Sequence, residues 1–367
     1  MKRKGFTLIE LLAVILILGI IALIAIPTVN KIIKESQKGA FESSVNNIIG
    51  AIEEACQLQV LKGESITTTY TFTNGLVSPS LNIKGKLPNS GTAIVDAKCN
   101  VILSATNGKF IANKITPTDI TTITEGTTAQ PTHTVFANGT AVYFNPVTGN
   151  TCTAGQAIST TGTKTGCMKW YAFNDGGAFS DTINLILDHN TTVKVPWNSI
   201  NSNISGPTTV LTQLQADTST WAGVPTITDS YSVSNGIANY TINYDTYKAR
   251  LITAGEIATI TGNTNFGEAT TPYTSWFYLD SNTQTKTAMI QGASKYAWLF
   301  DYTISCASNG CNKTDAIVWG YWTSTASAGN SNFAWSVSMN GNMCDDYAVN
   351  ININGIRPVI TLQKSSL

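Results

Sequence analysis

Residues 5–27 read GFTLIELLAVILILGIIALIAIP, and this stretch decides how the rest of the chain is read. From Phe6 to Ile26 it is apolar apart from Thr7 and Glu10. A helix of that length rises about 31 Å, matching a hydrocarbon core of about 30 Å. Lys2, Arg3 and Lys4 precede it and would hold a short leader, residues 1–5, in the cytoplasm. An ordinary secretory signal shares the basic start and the apolar run. It would not carry a carboxylate so early, and it would end in a small-x-small site where this chain has IAIPTVN. Glu10 needs a separate explanation, because a carboxylate inside a bilayer costs roughly 2.5–3.5 kcal/mol and normally has a partner. Cleavage after Gly5 would expose an α-amino group on Phe6, and in a bundle of helices Glu10 of one subunit would pair with that amine on a neighbour.

Apolar residues continue past the membrane run at helical spacing: Val29, Ile32, Ile33, Phe41, Val45, Ile48, Ile49, Ile52 and Cys56. Lys31, Lys34, Glu35, Lys38, Glu42, Glu53 and Glu54 take much of the opposite side. The pattern predicts one helix over 6–62, with its membrane span at 6–26, ended by Gly63.

With leader charge, Gly, Phe, Thr, Leu and Glu all in place, KGFTLIE resembles the prepilin peptidase recognition motif of type IV pilins and pseudopilins. That resemblance implies cleavage between Gly5 and Phe6, N-methylation of Phe6, and Glu10 as the carboxylate that sets filament register. It also implies a long helix packed on a small antiparallel sheet. The partners it implies are other pilin subunits, prepilin peptidase, the pilus assembly machinery and the membrane, with the mature protein in an extracellular filament. Short β-like runs between 65 and 115 (TTTYTFT, GTAIVDA, NVILSA, KFIANKI) suit that sheet, completing a pilin-like domain over 6–115. Cys56 on the helix would then be within reach of Cys99 on the sheet.

Charged residues make up only 12% of the 367 residues, about half the usual share. Loss of the three basic leader residues turns a formal net charge of zero into −3. A weakly acidic protein has no basic footprint, so nucleic acid is a poor partner. None of the seven cysteines forms a CxxC pair, and neither His133 nor His189 has ligand-like neighbours, so no metal or cofactor is expected. An exported chain can oxidise its thiols. Cys152 with Cys167 and Cys306 with Cys311 would each close a local loop; the alternative is that several are small buried residues.

The Thr-rich, Pro-containing stretch 116–133 reads as a linker or exposed loop. Beyond it, 134–367 holds all eight tryptophans and so needs a core of its own. PVTGN between alternating flanks predicts a hairpin. Helical spacing predicts short helices at 207–221 and 253–261, the second with Thr253 as N-cap and Glu256 completing a capping box. The Asp188–His189–Asn190 triplet invites a catalytic reading, but partners in catalysis are neighbours in space rather than in sequence, and a turn is expected instead.

The last part, about 248–367, contains Tyr321–Ser324, Ala334–Val337 and Gly355–Val359. Together they resemble the WTS strand, A-W-x-V strand and G-[IVF]-R-P-V ending of C-type-lectin-like domains, as in formylglycine-generating-enzyme-like proteins and the variable proteins of diversity-generating retroelements. The fold class expected overall is α+β: a pilin helix on a small sheet, then a larger β-rich distal domain. The resemblance implies a rigid scaffold with a ligand face between 327 and 354. Its candidates are Asn330, Asn332, Phe333, Trp335, Asn340, Asn342, Asp345, Asp346 and Tyr347, which suit a glycan or protein ligand. The competing reading makes these the outward positions of ordinary strands. Asp345 and Asp346 alone are a weak calcium signal. Arg357 is expected to be buried and paired.

Three functions follow: a minor or tip filament subunit with an adhesive head, a pseudopilin of a secretion or DNA-uptake machine, and a displayed enzyme. The third is the weakest, because Cys306 and Cys311 fall in a short loop with no sign of an active pocket.

Overall fold

The computed structural model describes residues 8–83, 85–153, 166–192, 194–263, 266, 277–279, 294–299, 320–338 and 341–367, with backbone alone at 10, 22, 24 and 346–348. The chain divides into two compact units, Met1–Thr132 and His133–Leu367.

The first unit is built on α1, Leu8–Lys62, 55 residues long. At 1.5 Å per residue it extends about 80 Å. Pro27 lies inside it and removes one backbone donor, which a helix flanked by further good helix turns tolerates. The end is a Schellman closure. Gly63 adopts a positive φ of 67°, its N–H donates to the Val60 carbonyl, and Glu64 N–H reaches back to the Gln59 carbonyl.

Six antiparallel strands follow: β1 (Thr69–Thr73), β2 (Leu76–Ser78), β3 (Ser90–Val95), β4 (Val101–Thr106), β5 (Phe110–Lys114) and β6 (Thr122–Glu125), in the spatial order β2-β1-β3-β4-β5-β6. Phe41, Val45, Ile48, Ile49, Ile52 and Cys56 of α1 are buried in one core with Tyr70, Phe72, Val95, Val101, Leu103, Phe110 and Ile123 of the sheet. Gly91, at φ 137°, lies where a Cβ would collide with the β4 backbone at Ser104 and Ala105, so only glycine allows this approach of β3 to β4.

β6 corrects the reading of 116–133 as a linker. Thr122–Glu125 pairs along β5, Ile123 is buried beneath it, and Gln130 N–H donates to Ser104 Oγ. Thr is a polar residue with strand preference, so a Thr-rich stretch with one apolar residue at the right register serves as an edge strand.

The second unit begins with the hairpin β7 (Ala141–Asn145) and β8 (Asn150–Thr151), then β9 (Met168–Phe173) and β10 (Thr182–Leu187). The last strand, β17 (Val359–Gln363), returns to pair with β10, giving the sheet β17-β10-β9-β7-β8. Between β10 and β17 lie α2 (Thr208–Asp217), the hairpin β11 (Ser230–Ser234) and β12 (Asn239–Asn243), and α3 (Ala254–Thr261). A further sheet contains β13 (Phe277–Tyr278), β14 (Gly320–Ala326), β15 (Phe333–Ser338) and β16 (Asn342–Ala348), ordered β13-β16-β15-β14. The chain is thus α+β, with one long helix followed by antiparallel sheets.

α3 begins with the expected capping box: Glu256 N–H donates to Thr253 Oγ1, and Thr253 N–H donates to Glu256 Oε2. The same carboxylate receives two hydrogen bonds from Arg250, at 2.6 and 2.8 Å. Among the described residues, two apolar clusters fill the unit. One gathers Trp170, Trp197, Trp221 and Trp322; the other gathers Phe173, Ile186, Ile257, Tyr321, Trp335 and Val337.

Candidate functional site

Along α1 the environment changes abruptly. Every large apolar side chain described from Leu8 to Ile33 has between 48% and 85% of its surface exposed. From Phe41 to Cys56 one face is sealed by the sheet. In water the first segment would leave a greasy surface far larger than a monomer tolerates. It is the one helix among the described residues long and apolar enough to cross a membrane. Gly5 and Phe6 lie outside the described residues, as does the side chain of Glu10, whose backbone is helical.

The covered half is clamped at its far end, near the C-terminus of the helix. Cys56 is joined to Cys99 by a disulfide, their Cα atoms 5.6 Å apart. Cys99 has a positive φ of 63° in a turn organised by Asp96, whose Oδ1 accepts the backbone N–H of Lys98 and Asn100. Its Oδ2 accepts from the Asn100 side chain, the main reason its pKa lies below the ordinary carboxylate value. A second disulfide joins Cys152 and Cys167 in the distal unit. Cys306 and Cys311 lie outside the described residues; Cys344 is buried with its sulfur 3.5 Å from Ser336 Oγ.

In the distal unit the candidate ligand face divides. Trp335 has no exposed surface; it packs edge-to-face on Phe266 inside the core and cannot stack on a ligand. Asp345 is equally buried and accepts the Ser327 hydroxyl at 2.7 Å. The cause is common to both. β14 is buried along its whole length, β15 along nearly all of it and β16 from Met343 to Asp345, so outward alternation fails there. Asn342 and Phe333 are half-buried; Asn340 and the side chains of Asp346 and Tyr347 lie outside the described residues. Asn330 and Asn332 remain half-open at the tip between β14 and β15, while Asn350 and Asn352 are exposed.

That tip is held by residues the sequence reading passed over. Asn203 Nδ2 donates to the carbonyls of Ser327, Asn330 and Phe333 at 3.2, 2.9 and 2.8 Å, and its N–H donates to Ser331. Asn198 N–H donates to the Val349 carbonyl, Val349 N–H to Asn332, and Val195 N–H to Asn354. Segments 195–206, 327–333 and 349–354 therefore form one hydrogen-bonded surface. The signal was present in the sequence: NSINSNISG, 198–206, is rich in Asn and Ile, as is VNININ, 349–354.

His189 Nδ1 lies 4.0 Å from Asp188 Oδ2. Asp188 lies 3.5 Å from Lys169, and burial pushes the His189 imidazole down to about 4, against the opposing pull of Asp188. Arg357 is fully buried, as expected. It donates to the carbonyls of Leu187, Leu299 and Trp298 at 2.6, 2.8 and 2.6 Å and lies over the Tyr321 ring.

The family described as the prokaryotic N-terminal methylation motif matches residues 1–26. Two curated relatives, each named type IV major fimbrial protein FimA and each from Dichelobacter nodosus, are 36% identical over 101 residues and 37% identical over 91. The first alignment takes in 26% of this chain and 62% of the relative, the second 25% and 55%. The chain thus spans less than two thirds of the relatives it matches. No solved structure matches it significantly. The chain is type IV pilin-like and carries the N-terminal methylation motif of those proteins.

Proposed function

We propose that this protein is a subunit of a type IV pilus-like filament, assembled through α1 and displaying its distal unit to bind a surface ligand. The observation that carries the reading is the bare apolar half of α1, Leu8–Ile33, joined without a break to a half already sealed by its own sheet. A helix so divided has satisfied one half within its own fold and needs other helices or lipid for the rest. Prepilin peptidase would cut between Gly5 and Phe6 on the cytoplasmic side and methylate Phe6. The buried amine of one subunit would then compensate Glu10 of the next.

The length of the distal unit, His133–Leu367, favours a minor or tip position, where a bulky head need not repeat along the shaft. Its C-type-lectin-like reading is supported by the three motifs coming together. Tyr321–Ser324 lies on β14, Ala334–Val337 on the adjacent β15, and Gly355–Val359 runs beside β14 through a Tyr321–Gly355 bridge into β17. The proposed role calls for no catalytic step.

N-terminal sequencing with intact mass of the protein from its native cell tests the assignment. The expected result is a chain starting at N-methyl-Phe6 and lacking two hydrogens per disulfide. A mature chain that retains its initiator methionine, or that begins beyond Ile26, would overturn it. A deletion strain that loses export of other proteins, with no ligand bound by the purified chain, would favour the pseudopilin role.

A further inference from the structure

The ligand face proposed above was placed on 327–354 alone, yet the structure joins to it a loop from more than a hundred residues earlier. We infer that the binding surface is a composite of loops 199–205, 328–333 and 350–352, and that it takes an uncharged, hydroxyl-rich ligand, a neutral glycan. The inference rests on the display reading and specifies its ligand class.

The first ground is preorganisation. Asn203 is fully buried, and its single side chain collects three carbonyls of the neighbouring loop. Asn198, also buried, donates through Nδ2 to the Gly206 carbonyl and closes its own loop. Together they fix the shape of a face whose outer residues make few contacts. Loops held this way lose little entropy on binding.

The second ground is chemistry. Segments 198–206, 327–333 and 349–354 contain no Lys, Arg, Asp, Glu or His. Outward from them stand Asn201, Asn350 and Asn352, interspersed with Ile200, Ile204 and Ile351 at 55%, 51% and 43% exposure. An asparagine amide offers two donors and an acceptor, which matches the paired hydroxyls of a sugar ring, and an isoleucine offers a flat aliphatic patch for its C–H face. A carboxylated or sulfated sugar would have to shed water with no cation to receive it. A protein partner is less well suited, because interface hot spots are enriched in Trp, Tyr and Arg, and the described side chains of this face present none of them outward.

The test uses the full chain in detergent micelles against immobilised dextran, mannan and chitin oligosaccharides, with heparin and a polysialic acid as charged controls. Retention is expected on at least one neutral polymer, unchanged within about twofold from ~50 to ~500 mM NaCl. Ile204→Lys, Ile351→Lys and the near-isosteric Asn352→Asp should each weaken it about tenfold or more. Their unchanged Trp fluorescence unfolding curves would show the fold intact. If Ile204→Lys binds normally while Asn352→Asp fails, the composite face is wrong and the ligand face of 327–354 survives. Retention only on heparin, only on polysialic acid or only on a protein surface overturns the neutral-glycan assignment. Failure to bind any surface overturns the display reading itself.

Discussion

The two units hold themselves together by different means. The first is a helix laid on a meander. Its core residues repeat along α1 at helical spacing, and each strand of its sheet is hydrogen-bonded mainly to strands next to it in sequence. The second is stitched by side chains that satisfy the backbone of distant segments. Trp197 Nε1 donates to the Thr323 carbonyl, Trp322 Nε1 to Val195, Tyr240 Oη to Ser324, and Asn235 Nδ2 to Ala326. Three of these bonds meet carbonyls of β14, a strand buried along its whole length, where unmet carbonyls are costly, and the Trp322 bond runs from that strand to Val195. Periodic apolar residues can build a unit from near neighbours, whereas a buried strand requires particular polar side chains brought from far away.

The contrast can be tested, since all eight tryptophans lie beyond residue 133 and their fluorescence reports the distal unit alone. The largest effect is expected at Arg357. Arg357→Leu removes a donor from three buried carbonyls, of which that of Leu299 keeps a second one in the Tyr321 hydroxyl, and should destabilise the distal unit by about 4 kcal/mol in denaturant titrations read by fluorescence. The first unit, followed by helix circular dichroism, should barely respond; equal loss in both would erase the contrast. In that unit Ile48→Ala, at a fully buried position, should cost about 2–5 kcal/mol, while Ile17→Ala on the bare half should leave unfolding within about 0.5 kcal/mol. Ile17→Ala would instead show in poorer membrane or filament incorporation.

The Cys56–Cys99 bridge separates residues 43 apart, and Cys152–Cys167 residues 15 apart. Loop-closure entropy makes the first worth about 4 kcal/mol and the second about 3, as upper estimates. Removing the first should lower the midpoint of the helix-bearing unit, and removing the second that of the distal unit.

Acid should sharpen the difference further. His189 protonates near 4 in the folded chain and near 6.5 when unfolded, so between those values only the unfolded chain takes the proton. Distal-unit stability, complete above about pH 6.5, should fall by about 2–3 kcal/mol as pH drops to about 4. His189→Gln should flatten that window. Asp96 acts in the same direction but lower: its stabilising ionisation is lost only as pH falls through its depressed folded value, with a much smaller effect at so exposed a site. Urea midpoints of the two units at pH 7, 5 and 3.5 would check both.

Much of the first unit was legible because its physics is local. The apolar face from Phe41 to Cys56, the Gly63 stop and four of the six strands follow from spacing alone. β6 was missed because its threonines look like linker in composition and like strand in conformation. In the distal unit the Thr253–Glu256 box and the burial of Arg357 were legible, since capping and an arginine before an apolar strand are short-range signals. The candidate face was only half legible. Asn330 and Asn332 are half-open at the surface, but Trp335 and Asp345 are interior, and Asn203 could not be singled out without the fold that brings it to Asn330.

The pairing of β10 with β17 has a consequence for the order of events during export. Thr182 lies opposite Gln363, so the inner sheet stays open along one edge until translocation has delivered the chain through that residue. Until then β10, rich in Ile and Leu, is an unsealed ribbon available to any stray strand. A ribosome or translocon that stalls between 190 and 358 would release a head that cannot close, and quality control at the membrane would meet that species rather than a nearly finished one.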